Sequence, residues 1–216
     1  MKREPACLRD YSFLTDDEKS RLQELRAHWE KRYWKKKGDD FGWYLSQPPE
    51  ILVKLLESKE VPQGAAVDIG CGPGTSTSYI AERSFRPTVG LDIAFSALCQ
   101  ARKFCEEKGT SPAFVVAAAP FLPFKKESCT FLYDRGCLQA LSETMRPLYL
   151  QTIAATLRTG GIFQLWVRDS SFSQIEVSLP AALKLLSWEQ FPFELKGGRV
   201  RLISHGIFKK VSVAEE

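Results

Sequence analysis

Histidine is nearly absent from this chain: His28 and His205 are the only two among 216 residues. The six cysteines, Cys7, Cys71, Cys99, Cys105, Cys129 and Cys137, include no Cys-x-x-Cys pair. These two absences argue against a zinc site, so no metal is expected, and the thiols should be reduced and mostly buried. No apolar run has the length of a signal peptide or a membrane span, and the start Met1-Lys2-Arg3-Glu4-Pro5 is polar. A soluble cytoplasmic protein with no membrane partner is expected. Thirty basic residues stand against 26 acidic ones, and a net charge of +4 is too slight to announce nucleic acid. Internal repeats and low-complexity tracts are also missing, and the length suits one domain with a substantial core.

What the chain does have is a change of period. From Asp16, Leu22, Leu25, Trp29 and Tyr33 fall on one helical stripe that runs to about Lys37. Gly38 to Gly42 breaks it, and Pro48-Pro49 opens a second helix with Ile51, Leu52, Leu55 and Leu56 on one face. Residues 1–60 thus form an arm and a helical lid belonging to the same domain as residues 61–216. After Gly64 short apolar strands alternate with amphipathic helices: strands near 65–69, 87–91, 113–117, 130–134 and 161–167, helices near 75–83, 95–108, 144–157 and 179–188. Such alternation predicts a parallel sheet covered on both sides. The close, Phe191 to Leu195, Gly197-Gly198 and Val200 to Val211, reads as a hairpin whose last strand runs antiparallel. The expected fold is α/β: a doubly wound, mixed seven-stranded, Rossmann-like sheet with an antiparallel C-terminal hairpin strand and an N-terminal helical lid.

The first strand runs into Val67-Asp68-Ile69-Gly70-Cys71-Gly72-Pro73-Gly74, where glycines let the backbone turn sharply and a ligand approach. A dinucleotide fingerprint, G-x-G-x-x-G, would need its third glycine one position later. Asp92 ends the second strand 18 residues after Gly74, where a carboxylate can accept bonds from both hydroxyls of a ribose. Ile93 follows it into the same loop.

This constellation resembles the nucleotide-binding motif of class I S-adenosylmethionine-dependent methyltransferases. The resemblance implies S-adenosyl-L-methionine as cofactor, held by Asp68 toward its amino end, by the Gly70, Cys71, Gly72 and Gly74 turn, by Asp92 and Ile93, and by Ala119 and Pro120 at the adenine. Where many members carry an acid for the adenine amino group, this chain has Ala118, so backbone and apolar packing are expected to hold the ring. Tyr133-Asp134-Arg135-Gly136-Cys137-Leu138-Gln139-Ala140-Leu141 resembles the corresponding stretch of thiopurine and thiol S-methyltransferases and their tellurite-resistance relatives. So does Trp29-Glu30-Lys31-Arg32-Tyr33-Trp34, with Gly38 and Phe41-Gly42-Trp43-Tyr44 after it. That branch implies Trp29 and Tyr33 flanking the cofactor, and Arg135 reaching its carboxylate or the acceptor.

The residues themselves leave alternatives open. Trp29 and Tyr33 share a stripe with Leu22 and Leu25, so core packing explains them as well as ligand contact does. The cations Lys31, Arg32, Lys35, Lys36 and Lys37 suit a solvated helix face better than an RNA grip. His205 reads as structural. Methyl transfer from a sulfonium needs alignment and exclusion of water more than acid–base machinery. Asp134 is the one base expected in the crevice, at the cofactor and beside the acceptor, with Arg135 as its catalytic neighbour. Scarcity of other bases favours a small-molecule acceptor with a thiol or another soft nucleophile. Protein lysine methylation, or a catalytically silent partner subunit, are the rival readings, and a monomer is favoured.

Overall fold

The computed structural model describes residues 14–170, 172–195 and 197–212. The expected amino-terminal arm therefore lies almost wholly outside the described residues. Helix α1 (Asp16–Lys35) begins with a reciprocal cap. The Thr15 hydroxyl accepts the Glu18 N–H at 3.2 Å while the Glu18 carboxylate accepts the Thr15 N–H at 2.9 Å, satisfying two donors that a helix start leaves open. Only Leu22 and Tyr33 of this helix are buried, so it depends on what it docks against. Helix α2 (Glu50–Glu57) follows Pro49 and buries Leu52, Leu55 and Leu56.

Seven strands make one sheet: β1 (Ala66–Ile69), β2 (Thr88–Asp92), β3 (Ala113–Val116), β4 (Cys129–Arg135), β5 (Leu157–Arg168), β6 (Leu183–Glu194) and β7 (Val200–Lys210). Their spatial order is β3-β2-β1-β4-β5-β7-β6, with β1 to β5 parallel and β7 antiparallel to both its neighbours. Helices α3 (Thr75–Glu82), α4 (Phe95–Glu107) and α5 (Arg146–Thr156) make the crossovers, and a short α6 (Phe172–Glu176) follows β5. Strand alternation feeds two cores: Val67, Ile69, Leu132 and Leu165 pack on one face, Phe131, Tyr133, Ile162 and Trp166 on the other. No described helix is long and apolar enough to cross a membrane.

One expectation is overturned. Residues 179–188, with Ala181-Ala182-Leu183-Lys184-Leu185-Leu186, read as a helix from local propensity, yet Leu183 onward is strand β6. Its register with β7 runs from Leu183 opposite Lys210 to Glu194 opposite Val200, shifting between Leu185 and Ser187. Pairing with a long neighbouring strand outweighs a weak intrinsic preference, and the helix after β5 shrinks to the five residues of α6. Pro192 is tolerated because β6 is an edge strand.

Helix α1 lies against α4 through polar contacts at its carboxyl half. The side chain of the α4 N-cap residue, Ala94, has no acceptor, and Glu30 supplies one instead. The Ser96 N–H lies 3.2 and 3.3 Å from the two Glu30 carboxylate oxygens, and the Ser96 hydroxyl donates to the Glu30 carbonyl at 3.1 Å. Gln100 Nε2 donates to the carbonyls of Tyr33 and Lys36 at 2.7 and 2.8 Å, closing the end of α1. Each helix thereby caps the other. Glu30→Ala should cost about 1 kcal/mol and lower the melting temperature by roughly 2–4 °C in a chain of this size; an unchanged thermal melt would mean that water serves α4 equally well.

Candidate active site

The carboxyl ends of β1, β2, β4 and β5 open into a cavity of about 410 Å³, where strand order reverses between β1 and β4. Register brings Ile69 beside both Leu91 and Asp134, so the loops after three strands start at one level. Gly70 lines the cavity, against Cys137 of the β4 loop. The glycines after it do different jobs. A Cβ on Gly72 would stand 2.9 Å from the Tyr33 hydroxyl, whereas one on Gly74 would meet the Ala101 backbone and Cβ at 2.9 and 2.8 Å. Gly72 thus lets α1 close on the loop, and Gly74 lets α3 and α4 approach each other.

Asp92 lines the cavity from the end of β2. One carboxylate oxygen accepts the Gly72 N–H at 3.0 Å and the other the Ala94 N–H at 2.9 Å, which leaves each oxygen a lone-pair site. Burial pushes its pKa up to about 6 against the lowering effect of those amides. Beside it Ile93, Leu91, Ala117, Ala118, Ala119 and Pro120 form an apolar wall. The Ala118 carbonyl accepts the Phe121 N–H at 2.9 Å, and the Pro120 carbonyl the Thr152 hydroxyl at 2.9 Å, so the wall is held rigid from behind.

Across the cavity stands an aromatic wall from α1 and the loop after it. Trp29 stacks on Tyr33 with centroids 5.9 Å apart, Trp43 meets both edgewise at 6.4 and 6.3 Å, and Phe41 lies beneath, 4.8 Å from Trp43. Arg32 rests its guanidinium over Trp29 and Phe41, 5.1 and 5.5 Å from the ring centres, and also lines the cavity. Trp34, on the other side of the helix, is 82% exposed and takes no part. Phe172 of α6 packs on Trp188 against the core, with ring centroids 5.4 Å apart.

Five expected site residues, Asp68, Cys71, Gly72, Gly74 and Asp134, are placed off the cavity wall, Gly72 beneath Tyr33, and the two acids receive another task. Asp68 is buried beneath the loop and accepts the Thr77 hydroxyl at 2.6 Å, tying β1 to α3; burial drives its pKa up to about 7. Asp134 is wholly buried and accepts the N–H groups of Cys137 and Leu138 at 2.6 and 2.9 Å and the Tyr149 hydroxyl at 2.7 Å. A carboxylate so occupied, and absent from the cavity wall, anchors the loop after β4 and is not disposed to take a proton from a ligand. Cys71 and Gly74 likewise pack behind the loop, Cys71 with its sulfur against Gly90. Arg135 does line the cavity and donates to the Trp43 carbonyl at 3.1 Å.

Local sequence patterns gave no sign of one wall. Phe193, Leu195 and Ile203 reach the cavity from the β6–β7 hairpin, beside Trp166, Val167 and Arg168 at the end of β5. Only their position in the closed sheet reveals them. His205 is structural: its Nε2 lies 2.9 Å from Gln164 Nε2, and burial lowers its pKa to about 4. Among the described residues no group of three candidate ligands could hold a metal.

A crevice at the switch point, a glycine turn and a buried carboxylate on the neighbouring strand describe a nucleoside site, and comparison with known proteins specifies which. Residues 66–161 match a family described as a methyltransferase domain. That match agrees with the resemblance of the chain to the class I S-adenosylmethionine-dependent methyltransferases. Among similar proteins, the 2-heptyl-1-hydroxyquinolin-4(1H)-one methyltransferase of Mycobacteroides abscessus is 30% identical over 131 residues, covering 60% of this chain and 56% of its own. Thiocyanate methyltransferase 1 of Brassica oleracea is 26% identical over 199 residues, 83% of this chain and 85% of that one. The chain spans little more than half the length of the first two curated relatives it matches, 56% and 53%. A crystal structure of an S-adenosylmethionine-dependent methyltransferase from Anabaena variabilis shares the fold with a TM-score of 0.65 at 16% identity, over 86% of this chain and 95% of that one.

The residues present fit the cofactor of this methyltransferase class. Gly70 lines the cavity without a side chain, Asp92 keeps acceptor capacity, and apolar and aromatic walls enclose the space between them. Asp134→Ala should leave Cys137 N–H, Leu138 N–H and Tyr149 Oη buried without partners, a loss of at least about 2 kcal/mol. A urea titration would read this as a lowered midpoint, whereas unchanged stability with abolished turnover would return Asp134 to a catalytic role.

Proposed function

We propose that this methyltransferase moves a methyl group from S-adenosylmethionine to a small acceptor bearing a soft, anionic nucleophile such as a thiolate. One observation carries the acceptor class. Among the described residues lining the cavity, Asp92 is the only carboxylate and no histidine or lysine is present, while Arg32, Arg135 and Arg168 bring positive charge. Burial also raises the Tyr33 hydroxyl and the Cys137 thiol well above their ordinary pKa values, so neither serves as a base near neutrality. An acceptor that had to lose a proton in the site would find nothing to take it. An acceptor that arrives as an anion needs only to be held and kept dry.

In this reading Asp92 receives the ribose hydroxyls, the wall from Leu91 to Pro120 packs on the adenine, and Gly70 and Gly72 let the backbone lie against the cofactor. Trp29, Tyr33 and Trp43 close over it from α1 and exclude water. When bound, S-adenosylmethionine supplies an electrophilic methyl on a cationic sulfur: a bond forms from the acceptor lone pair to carbon as the carbon–sulfonium bond breaks and its electrons return to sulfur. Arg135 orients the acceptor anion and leaves its charge available, since a guanidinium cannot protonate it near neutrality. One of the relatives is named for thiocyanate, a small soft anion of the proposed kind, which supports the reading.

Two measurements test it. Asp92 titrates near 6, and the ionised form is the one that accepts two hydroxyls. Cofactor affinity should therefore stay flat above that pH and fall as pH drops through it. Asp92→Asn should remove the dependence, and Asp92→Ala should weaken S-adenosylhomocysteine binding by about 1.5–3 kcal/mol; calorimetry showing equal affinity at pH 5 and 8 would overturn the ribose assignment. A panel of thiol, amine and hydroxyl acceptors, assayed for S-adenosylhomocysteine release, should show turnover with thiols and other acidic heteroatoms. Preference for neutral amines or for protein lysines would sink the acceptor class.

A further inference from the structure

Behind the acceptor end of the active site lies a second cavity, about 660 Å³, between α2 and the β6–β7 hairpin. Its walls combine the apolar side chains of Ile51, Leu55, Phe191 and Ile207 with the carboxylates of Glu50, Glu60 and Glu189. Lys54, the one lysine or arginine among the described residues there, already pairs with Glu50 at 2.8 Å. Two residues, Trp166 and Phe193, line both this cavity and the active site. Trp166 stands opposite Arg135 in the β4–β5 register, and its carbonyl accepts the Gly136 N–H at 3.0 Å, so its backbone is fixed beside the acceptor loop.

The indole itself is held differently. Phe191, Phe193 and His205 meet it edge to face at 5.5, 6.3 and 5.9 Å, while its buried Nε1 has no hydrogen-bond partner. Bulk alone keeps it in place, and it is only 6% exposed.

We propose that Trp166 is the specificity-determining wall that sets the length of acceptor this site takes, closing the active site off from an apolar compartment that would otherwise receive an acceptor's tail. The proposal rests on the acceptor end of the cavity being the one beside Arg135. Charge fixes the direction of entry: an anionic head belongs with the arginines, and the compartment rimmed by carboxylates admits only an uncharged tail. With the indole in place the acceptor ends against it. Without the indole, each further methylene would be buried in the compartment, gaining about four-fold in affinity.

The test uses full-length protein loaded with S-adenosylhomocysteine and a series of n-alkyl methyl sulfides from propyl to nonyl, with binding read by calorimetry. Wild-type affinity should rise over the first few methylenes and then level off. Trp166→Phe should keep that plateau, and Trp166→Ala should lift it, binding the nonyl compound at least ten-fold more tightly than wild type. Should Trp166→Ala fail to give a cooperative melt, Phe193→Ala, the other shared wall, should lift the plateau instead. A wild type without a plateau, a wild type that binds none of the series, or a truncated variant with the wild-type plateau each overturns the proposal. Turnover of the matching n-alkanethiols is measured in parallel: a lifted plateau without any turnover supports the wall and counts against the thiol reading alone.

Discussion

One carboxylate joins the two loops on which the cofactor side depends. Asp92 ends β2, yet through Gly72 N–H it holds the loop that follows β1, and through Ala94 N–H it holds its own. Hydrogen bonds to an ionised acceptor are about twice as strong as neutral ones, which offsets part of the cost of burying the charge. The same device recurs along the crevice. Asp68 ties β1 to α3 through Thr77, and Asp134 gathers the loop after β4 onto Tyr149. Three adjacent strand ends thus each finish in a buried acid whose partners are mostly loop amides. Only Asp92 also faces the cavity. The others shape the space by holding what does.

The aromatic wall depends on this frame in turn. Tyr33 reaches Gly72 only because that residue has no side chain, and α1 is positioned by Glu30 on the start of α4 and by Gln100 on its own end. An aromatic face that is itself marginal as an isolated helix is therefore fixed by polar contacts along the carboxyl half of α1. Arg32, lying across Trp29 and Phe41, adds a cation to the rings without filling the space between them.

The parallel half of this architecture could be read from the chain because each strand and helix there is specified locally. Val67 to Gly74 and Asp92 lie at strand ends, where apolar alternation, a glycine turn and an acid coincide, and all of β1 to β5 were legible. Asp68 and Asp134 misled for the opposite reason. A carboxylate at a strand end has the same sequence whether it faces a ligand or a neighbouring amide, and only the position of Thr77, Leu138 and Tyr149 decides between them. The stretch after Pro180 misled because the helical preference of Ala181 to Leu186 is local, whereas its partner strand begins at Val200. Leu195, just past the end of β6, and Ile203 in β7 carried no signal at all, being ordinary hairpin residues until the hairpin folds over the crevice.

That hairpin separates the molecule into two kinds of inheritance. The matched methyltransferase domain ends at residue 161, inside β5, while the wall formed by Phe193, Leu195 and Ile203 comes from the strands added after it. On the proposed reading, the cofactor is held by the parallel layers, and the acceptor lies between the ends of β4 and β5 and a wall supplied by the antiparallel extension. Changes confined to that ribbon would reshape one wall of the cavity while the loops held by Asp68, Asp92 and Asp134 stay in place.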